Sequence, residues 1–167
     1  KPVYEGHPKQ IEKAWELIES SKKPVIIAGG GIISSNASGE LTEFVEKTGI
    51  PVAFTLMGLG CMDVRHPLSL GMPGMHGTKY ANYAIVESDL IISIGCRFDD
   101  RVTGKIENFA PKAKIIHIDI DPSAISKNVE VDVPIVGDAK NVLKKLLEKA
   151  KKLDIEQWRR KSKNGKM

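Results

Sequence analysis

The sequence predicts a doubly wound α/β domain, in which helices cover both faces of a mostly parallel, Rossmann-like sheet. Several short runs of apolar residues recur along the chain, and they do not alternate with polar residues. Such runs are typical of strands that are buried on both faces. Segments with helical periodicity separate most of the runs, which indicates strand–helix–strand units and therefore parallel pairing.

Two helices alternate with two strands in the first part of the chain. In order, these segments are PKQIEKAWELIESS (8–21), KPVIIAGGG (23–31), SGELTEFVEKTG (38–49) and IPVAFTLMGLG (50–60), the last of which includes a loop. The first helix places Ile11, Ala14, Trp15 and Ile18 on one stripe, so this stripe is predicted to face the core. Gly49 is suited to end the second helix because glycine readily adopts a left-handed conformation.

The rest of the chain predicts a helix, three strands and a closing helix. In order, these segments are GTKYANYAIVESD (77–89), LIISIGC (90–96), AKIIHIDID (113–121), VPIVGD (133–138) and AKNVLKKLLEKAKKL (139–153). Residues 1–153 are therefore assigned to one domain, and residues 154–167 to a linker toward a further domain. The opening KPVYEGHPKQ has neither a start Met nor a leader, so we expect the sequence to be part of a longer polypeptide.

Composition limits the classes of protein to consider. With 167 residues, 41% hydrophobic and 28% charged, the chain resembles one globular domain. No apolar stretch approaches the roughly 20 residues needed to cross a bilayer, so no membrane partner is expected. Many cations lie toward the carboxyl end without stacking aromatics, which is typical of a solvated helix and does not predict a nucleic-acid partner. Cys61 and Cys96 lack a CxxC pairing, which argues against zinc or disulfides and favours a reducing cytoplasm.

Glycine and methionine dominate the segments that follow the early strands. Ligands of doubly wound sheets bind beyond the carboxyl ends of the strands, so a site is expected there. Gly29, Gly30 and Gly31 either let backbone amides approach a ligand or allow a tight turn. Met57, in TLMGLG, and Met75, in GMPGMHGTKY, either fill gaps in the core or pack on a flat ligand.

Two histidines occupy different settings. His76 precedes Gly77 and Thr78, and Thr78 can cap the helix that follows. A neutral His76 imidazole that donates to a ligand is one interpretation, and an ordinary loop histidine is the other. His117 lies inside the apolar segment KIIHID and is predicted to be a core residue.

Carboxylates follow the last two predicted strands. Asp119 and Asp121, in HIDIDP, stand where acceptors for ribose hydroxyls are common, although Asp121 could equally begin a turn. Asp138 can cap the closing helix, and its neighbouring amides could face adenine or ribose. Because four strand ends share glycine and carboxylate chemistry, the sequence predicts a nucleotide-sized site.

Four charges cluster in GCRFDDRVTGK (95–105), directly after a buried strand. They are Arg97, Asp99, Asp100 and Arg101. A salt-bridge cluster on the surface is one interpretation. A ligand site is the other, because a guanidinium can hold a planar carboxylate through two parallel hydrogen bonds.

Three segments closely resemble the central domain of the acetolactate synthase (acetohydroxyacid synthase) catalytic subunit. They are GMPGMHGTKYANYAI, GCRFDDRVTGKIENFAPKAKIIHIDIDPSAISKN and GDAK, and the resemblance extends over nearly the whole chain. It implies a transferase that depends on thiamin diphosphate and Mg²⁺. That family condenses two pyruvates, or pyruvate and 2-oxobutanoate, with loss of CO₂ in branched-chain amino-acid biosynthesis. Its central domain holds FAD, which takes no net redox part, whereas thiamin diphosphate and magnesium sit between flanking domains.

Position by position, the resemblance implies flavin contacts at every strand end. The implied contacts are Gly29, Gly30, Gly31, Thr55, Leu56, Met57, Met75, His76, Gly77, Gly95, Arg97, Asp99, Val102, Asp119, Ile120, Gly137 and Asp138. Arg101 is implied as the residue that receives the second 2-oxoacid, with Asp100 beside it. The four clustered charges would thus divide into a cofactor pair and a substrate pair.

The resemblance also implies what this chain lacks. The sequence contains neither the Gly-Asp-Gly nor the Asn-Asn segment with which these enzymes hold the diphosphate and its metal. No metal ligand or catalytic residue is therefore assigned, and the fragment alone is expected to be inactive because thiamin diphosphate supplies the difficult chemistry.

Expected partners are 2-oxoacid substrates, the flanking domains, further copies in a homo-oligomer and a regulatory small subunit. The alternatives are the central domain of another thiamin enzyme, of the glyoxylate carboligase or pyruvate oxidase type, and a free-standing nucleotide-binding module.

Overall fold

The computed structural model describes residues 5–73, 78–96, 112–122 and 131–164, and these contain one sheet of six strands. The strands are β1 (Pro24–Ala28), β2 (Val52–Phe54), β3 (Ser69–Gly71), β4 (Leu90–Ile94), β5 (Lys114–Asp119) and β6 (Val133–Val136). Their order across the sheet is β3-β2-β1-β4-β5-β6, and every pair of neighbours is parallel. The parallel pairing predicted from the alternation of strands and helices is confirmed.

Helices pack in two layers around this sheet. They are α1 (Pro8–Ser20), α2 (Gly30–Ser34), α3 (Ser38–Thr48), α4 (Lys79–Glu87), α5 (Ala139–Lys149) and α6 (Glu156–Asn164). Helices α1, α3 and α5 pack together in one layer, and α4 packs against α6 in another. This is the doubly wound α/β fold that the sequence predicts. Among the helices of the described ranges, none combines the length and the apolar character that a membrane span requires.

The central strands are buried along their whole length because helices cover the sheet. All five residues of β1 and all five of β4 are buried. This burial explains why both strands are apolar at consecutive positions. Helix α1 contributes the predicted stripe, in which Ile11, Ala14, Trp15 and Ile18 are buried.

Three helix ends carry the predicted caps. Gly49 follows α3 in a left-handed conformation with φ of 82°. The Thr78 hydroxyl accepts a hydrogen bond from the Ala81 amide at 3.0 Å, and the Asp138 carboxylate accepts one from the Asn141 amide at 3.2 Å. These side chains satisfy amides that have no partner within their helix. They therefore fix where α4 and α5 begin.

Three elements differ from the sequence-based expectation. Helix α2 begins at Gly30, within the three glycines, where only a turn is predicted, and β3 lies where no strand is predicted. Both are too short, at five and three residues, for periodicity to reveal them. Helix α6 lies within the segment assigned to a linker, yet its Trp158 is buried and donates to the Pro24 carbonyl at 2.7 Å. Part of that segment thus packs on the domain.

The two edge strands differ from the central ones. Strand β3 has only three residues. Strand β6 contains Pro134, which has no N–H, and its carbonyl accepts a hydrogen bond from the Gln10 side chain at 3.0 Å. Glu5 pairs with Gly137 in an isolated antiparallel bridge just after β6. Helix α1 and the segment before it therefore lie along the β6 edge.

Both cysteine thiols are buried, and this predicts slow alkylation. Burial raises the pKa of the Cys61 thiol to about 11. Because the thiolate is the reactive form, we expect iodoacetamide at pH 8 to label Cys61 about a hundredfold more slowly in the folded chain than in the urea-unfolded chain. Mass spectrometry of each cysteine peptide over time measures these rates. Equal rates in the two states would contradict the burial.

Candidate cofactor-binding site

The register of the sheet aligns the ends of four strands. The last residues of the aligned row are Phe54 on β2, Ala28 on β1, Ile94 on β4 and Ile118 on β5. The residues that follow them are Thr55, Gly29, Gly95 and Asp119. Neighbouring strands lie about 4.8 Å apart, so this row measures roughly 14 Å. We call these four residues, with the segments 29–31, 55–58, 119–120 and 137–138, the carboxyl rim.

The centre of the carboxyl rim is the topological switch point of the sheet. From β1 the chain continues to β2 on one side, and from β4 it continues to β5 on the other. In doubly wound sheets, the crevice at this point is where ligands bind. Of the predicted strand-end residues that the structure describes, Thr55, Gly29, Gly95 and Asp119 therefore lie along one edge, where a ligand site is expected.

Glycines at the switch point allow two backbones to pack closely. A Cβ on Gly29 would lie 2.5 Å from the Gly95 carbonyl oxygen, and a Cβ on Gly31 would lie 2.7 Å from the Gly95 Cα. The Gly29 amide donates to the Ile94 carbonyl at 2.9 Å, and the Gly31 amide donates to the Gly95 carbonyl at 3.0 Å. These two amides therefore bond within the protein, and the missing side chains of Gly29 and Gly31 allow the start of α2 to pack on the end of β4. A contact of the three glycines with a ligand stays a prediction.

Two exposed apolar side chains lie in the turn that follows β2. Leu56 is 70% exposed and Met57 is 67% exposed. The buried Thr55 hydroxyl holds this turn by accepting a hydrogen bond from the Gly58 amide at 3.2 Å. Met57 also lies against Gly30, because a Cβ on Gly30 would be 3.1 Å from the Met57 Cβ. The turn thus offers an apolar surface on which a flat ring can pack.

Asp119 brings a carboxylate to the other end of the row. Its side chain is 11% exposed, and its Oδ1 accepts a hydrogen bond from the Asp121 amide at 2.9 Å. Burial raises the pKa of Asp119 above its usual value. The bond to Asp121 forms a turn of the kind that Asp favours, and the next residue, Ile120, is exposed. A carboxylate in this position can accept hydrogen bonds from hydroxyl groups.

His117 is a core residue, as predicted. It is fully buried, and its Nε2 lies 3.1 Å from the Cys96 carbonyl oxygen and 3.7 Å from the Asp119 Oδ2. Burial lowers the pKa of His117, which favours the neutral ring. A neutral imidazole that carries its proton on Nε2 can donate to the Cys96 carbonyl.

Gly137 and Asp138 serve the packing of α5. The Asp138 carboxylate caps this helix, and the Gly137 amide donates to the Asp119 carbonyl at 2.9 Å. A Cβ on Gly137 would lie 2.6 Å from the Val142 Cγ2. The cap predicted for Asp138 is confirmed, and a contact of its neighbouring amides with adenine or ribose stays a prediction.

The other predicted site residues lie outside the described residues. They are Met75, His76, Gly77, Arg97, Asp99, Asp100, Arg101 and Val102. The two interpretations of the four clustered charges therefore both remain open. Within the described part of the chain, no group of three or more His, Cys, Asp and Glu residues is placed to hold a metal ion.

A groove of about 690 Å³ lies away from the carboxyl rim, where the end of α3, β3 and α6 meet. Its ionic side chains are paired with one another. His66 lies 3.0 Å from Glu46, and Arg160 lies 3.3 Å from Glu156. Such pairing is typical of a solvated surface, so no ligand is assigned to this groove.

Two residues shape the carboxyl rim without having been predicted to do so. A Cβ on Gly58 would lie 2.2 Å from the Ala28 carbonyl oxygen, so the turn after β2 packs directly on the end of β1. The glycine spacing in TLMGLG is the signal for this contact. His117 links the end of β4 with the end of β5, and no sequence signal reveals this role because the His117 partner is a backbone carbonyl.

Comparison with known proteins identifies the family. The family model described as "Thiamine pyrophosphate enzyme, central domain" matches residues 11–146. A probable acetolactate synthase large subunit from Methanocaldococcus jannaschii is 65% identical over 147 residues, which cover 88% of this chain and 25% of that protein. The acetolactate synthase large subunit of Corynebacterium glutamicum is 55% identical over 163 residues, which cover 95% of this chain and 26% of that protein. An acetolactate synthase from Arthrospira platensis is 48% identical over 168 residues, which cover 99% of this chain and 29% of that protein.

The chain spans about a quarter of the length of these relatives. The family model covers the chain from α1 into α5, and its match includes every residue of the carboxyl rim. The chain therefore belongs to the thiamine pyrophosphate enzyme family, as a central domain.

Proposed function

We propose that this chain is the central domain of an acetolactate synthase large subunit, in which it holds FAD and presents Arg101 to the second 2-oxoacid. The observation that carries the proposal is the 65% identity with a probable acetolactate synthase large subunit over 88% of the chain. The whole enzyme would condense two pyruvates, or pyruvate and 2-oxobutanoate, with loss of CO₂ in branched-chain amino-acid biosynthesis.

The carboxyl rim has the chemistry that FAD needs. Leu56 and Met57 provide an apolar surface at one end, and Asp119 provides a hydroxyl acceptor at the other. The row between them is roughly 14 Å long, as the spacing of four strands dictates. Its centre includes the backbone of Gly29 and Gly95, so neither of these two residues brings a side chain to the switch point. We infer that Leu56 and Met57 pack on the ring system of FAD and that Asp119 accepts a hydrogen bond from a ribose hydroxyl.

Substrate recognition is assigned to Arg101 and Asp100. A 2-oxoacid carries a planar carboxylate, which a guanidinium can hold through two parallel hydrogen bonds, and an adjacent carboxylate can orient that guanidinium. Thiamin diphosphate, with Mg²⁺ in the flanking domains, would supply the carbanion-stabilising chemistry when bound. The domain described here would therefore bind and orient, and the isolated chain would be inactive.

An assay of the complete polypeptide tests the proposed function. With pyruvate, thiamin diphosphate, Mg²⁺ and FAD, we expect acetolactate to form without uptake of oxygen. Oxygen uptake that matches pyruvate consumption would instead indicate an oxidase. A complete polypeptide that neither forms acetolactate nor binds thiamin diphosphate would overturn the proposal in favour of a nucleotide-binding module.

Arg101→Ala in the complete enzyme is expected to separate substrate use from cofactor binding. Loss of a bidentate carboxylate contact should lower kcat/KM for the second 2-oxoacid by about a hundredfold, whereas FAD content should change less than about twofold. Arg101→Lys should recover only part of the loss because an ammonium lacks the planar fork. Arg65→Ala is the matched control, since Arg65 is 88% exposed and forms an ion pair with Asp63, two residues away. Parallel loss of FAD and substrate use would refute the division of charges.

The proposal includes the partners expected from the sequence. These are the flanking domains, further copies in a homo-oligomer and a regulatory small subunit, and the names of two relatives include the words "large subunit". A cytoplasmic location belongs to the same proposal. It is supported by the cysteine pattern of the sequence, in which Cys61 and Cys96 lack a CxxC pairing.

A further inference from the structure

His117 lies on β5, directly beneath the carboxyl rim. On β5 it pairs with Ser93 of the neighbouring strand β4, and it has no exposed surface. Ile118, the last residue of the aligned row, follows His117 directly on β5, and Asp119 comes next. A side chain this close to the rim can transmit its own position to the residues above it.

Two contacts connect His117 with the rim. Its Nε2 lies 3.1 Å from the carbonyl oxygen of Cys96, the residue after the switch-point Gly95. The same nitrogen lies 3.7 Å from the Asp119 Oδ2, which is too far for a hydrogen bond and close enough for an electrostatic attraction. One ring nitrogen therefore faces the backbone where the chain leaves β4 and the carboxylate where it leaves β5.

Cys96 is itself held from the other side. It is fully buried, and its thiol lies 3.3 Å from the Ile27 carbonyl oxygen on β1. The end of β4 is thus fixed to β1 by the Cys96 side chain and to β5 by the His117 imidazole. These two non-covalent contacts hold the ends of β1, β4 and β5 in one arrangement at the switch point.

We infer that His117 is a positioning residue for the cofactor, because it fixes the Asp119 carboxylate relative to the end of β4 without touching the ligand. This inference rests on the proposed function, in which Asp119 accepts from a ribose hydroxyl of FAD. The neutral imidazole suits the task, since an Nε2–H can donate to the Cys96 carbonyl while its partial positive charge faces Asp119.

Substitutions at position 117 can preserve or remove this donor. The amide nitrogen of glutamine reaches close to the position of Nε2, whereas that of asparagine lies nearer the position of Nδ1. His117→Gln therefore keeps a donor toward the Cys96 carbonyl, and His117→Asn withdraws the donor from that carbonyl. His117→Leu removes it and keeps an apolar side chain in the core. Ser93→Ala is the matched control, because Ser93 is buried at the same level of the sheet and lies on β4.

The test is FAD affinity of the complete enzyme, measured by flavin fluorescence. We expect His117→Leu and His117→Asn to raise the Kd for FAD roughly tenfold, equivalent to about 1.4 kcal/mol. His117→Gln and Ser93→Ala should remain within about threefold of wild type, a difference of well under 1 kcal/mol. At saturating FAD, kcat should return to near the wild-type value in every variant, because no reacting group has been removed.

Three results decide the matter. If His117→Leu does not fold, the comparison of asparagine with glutamine still tests the inference. If the His117→Asn and His117→Gln variants bind FAD equally, the inference is wrong. It is also wrong if Ser93→Ala weakens FAD binding as much as His117→Asn does. If the wild-type enzyme itself binds no FAD, the failure lies with the proposed function instead.

Discussion

Gly95→Ala is expected to lower the free energy of unfolding of this chain by about 3 kcal/mol or more. Gly95 has φ of +69°, which strains any residue with a Cβ. The added Cβ would also lie 2.7 Å from the Gly31 Cα and 2.9 Å from the Gly31 nitrogen. Both obstacles are backbone atoms of Gly31, so relief requires the start of α2 to move away from the end of β4. Urea unfolding followed by circular dichroism measures the loss.

Two other glycines separate the causes of this loss. Gly60 has φ of +96° with no atom within 4 Å of a built Cβ, so Gly60→Ala should cost only the backbone strain, about 1–2 kcal/mol. Gly39 lies in α3 with open space around it, and Gly39→Ala should stabilise the chain by about 0.5 kcal/mol. If Gly95→Ala costs no more than Gly60→Ala, the close approach of the two backbones has no energetic importance.

Trp158→Ala is expected to lower the free energy of unfolding by about 3–5 kcal/mol, the usual range for a buried aromatic side chain. The Trp158 indole is buried, stacks on Tyr83 with ring centroids 6.2 Å apart, and donates to the Pro24 carbonyl at 2.7 Å. Its removal leaves a cavity beside α4 and leaves the Pro24 carbonyl without that donor. The same urea titration measures the effect.

Two variants test whether the loss comes from anchoring α6. Trp158→Phe keeps an aromatic ring and removes the N–H, so it should lower the free energy of unfolding by about 1–2 kcal/mol. Tyr80→Ala removes a partly exposed aromatic side chain from α4 and should change stability by less than about 1 kcal/mol. A value for Trp158→Ala as small as that for Tyr80→Ala would mean that α6 does not contribute to the stability of the domain.

The fold was largely predictable because each of its main elements carries its own pattern. Strands β1 and β4 are continuous apolar runs, and α1 has one clear stripe. Strand β3 has three residues, which is too few for any periodicity. Helix α6 is mostly charged and is anchored by one large residue, Trp158, whose partners Tyr83 and Pro24 are distant in sequence. Local patterns do not show such distant contacts.

The candidate site was predictable to the extent that topology determines it. Parallel strands bring their carboxyl ends to one edge, so residues after each strand were expected to meet. Which residues face a ligand was less predictable. The amides of Gly29 and Gly31 donate to backbone carbonyls at the end of β4. The Asp138 carboxylate caps α5. The link from His117 to Cys96 depends on the register between β4 and β5, which exists only after the strands have paired.

The edges of the sheet have a consequence for behaviour at high concentration. An exposed strand edge is a template on which a second molecule can add a strand, and this leads to aggregation. At one edge, β3 offers only three residues for such pairing. At the other, Pro134 lacks the donor that an incoming strand needs, the Gln10 side chain occupies the Pro134 carbonyl, and Glu5 bridges to Gly137. The domain therefore discourages the growth of intermolecular sheets at both ends, even though its interior strands are almost entirely apolar.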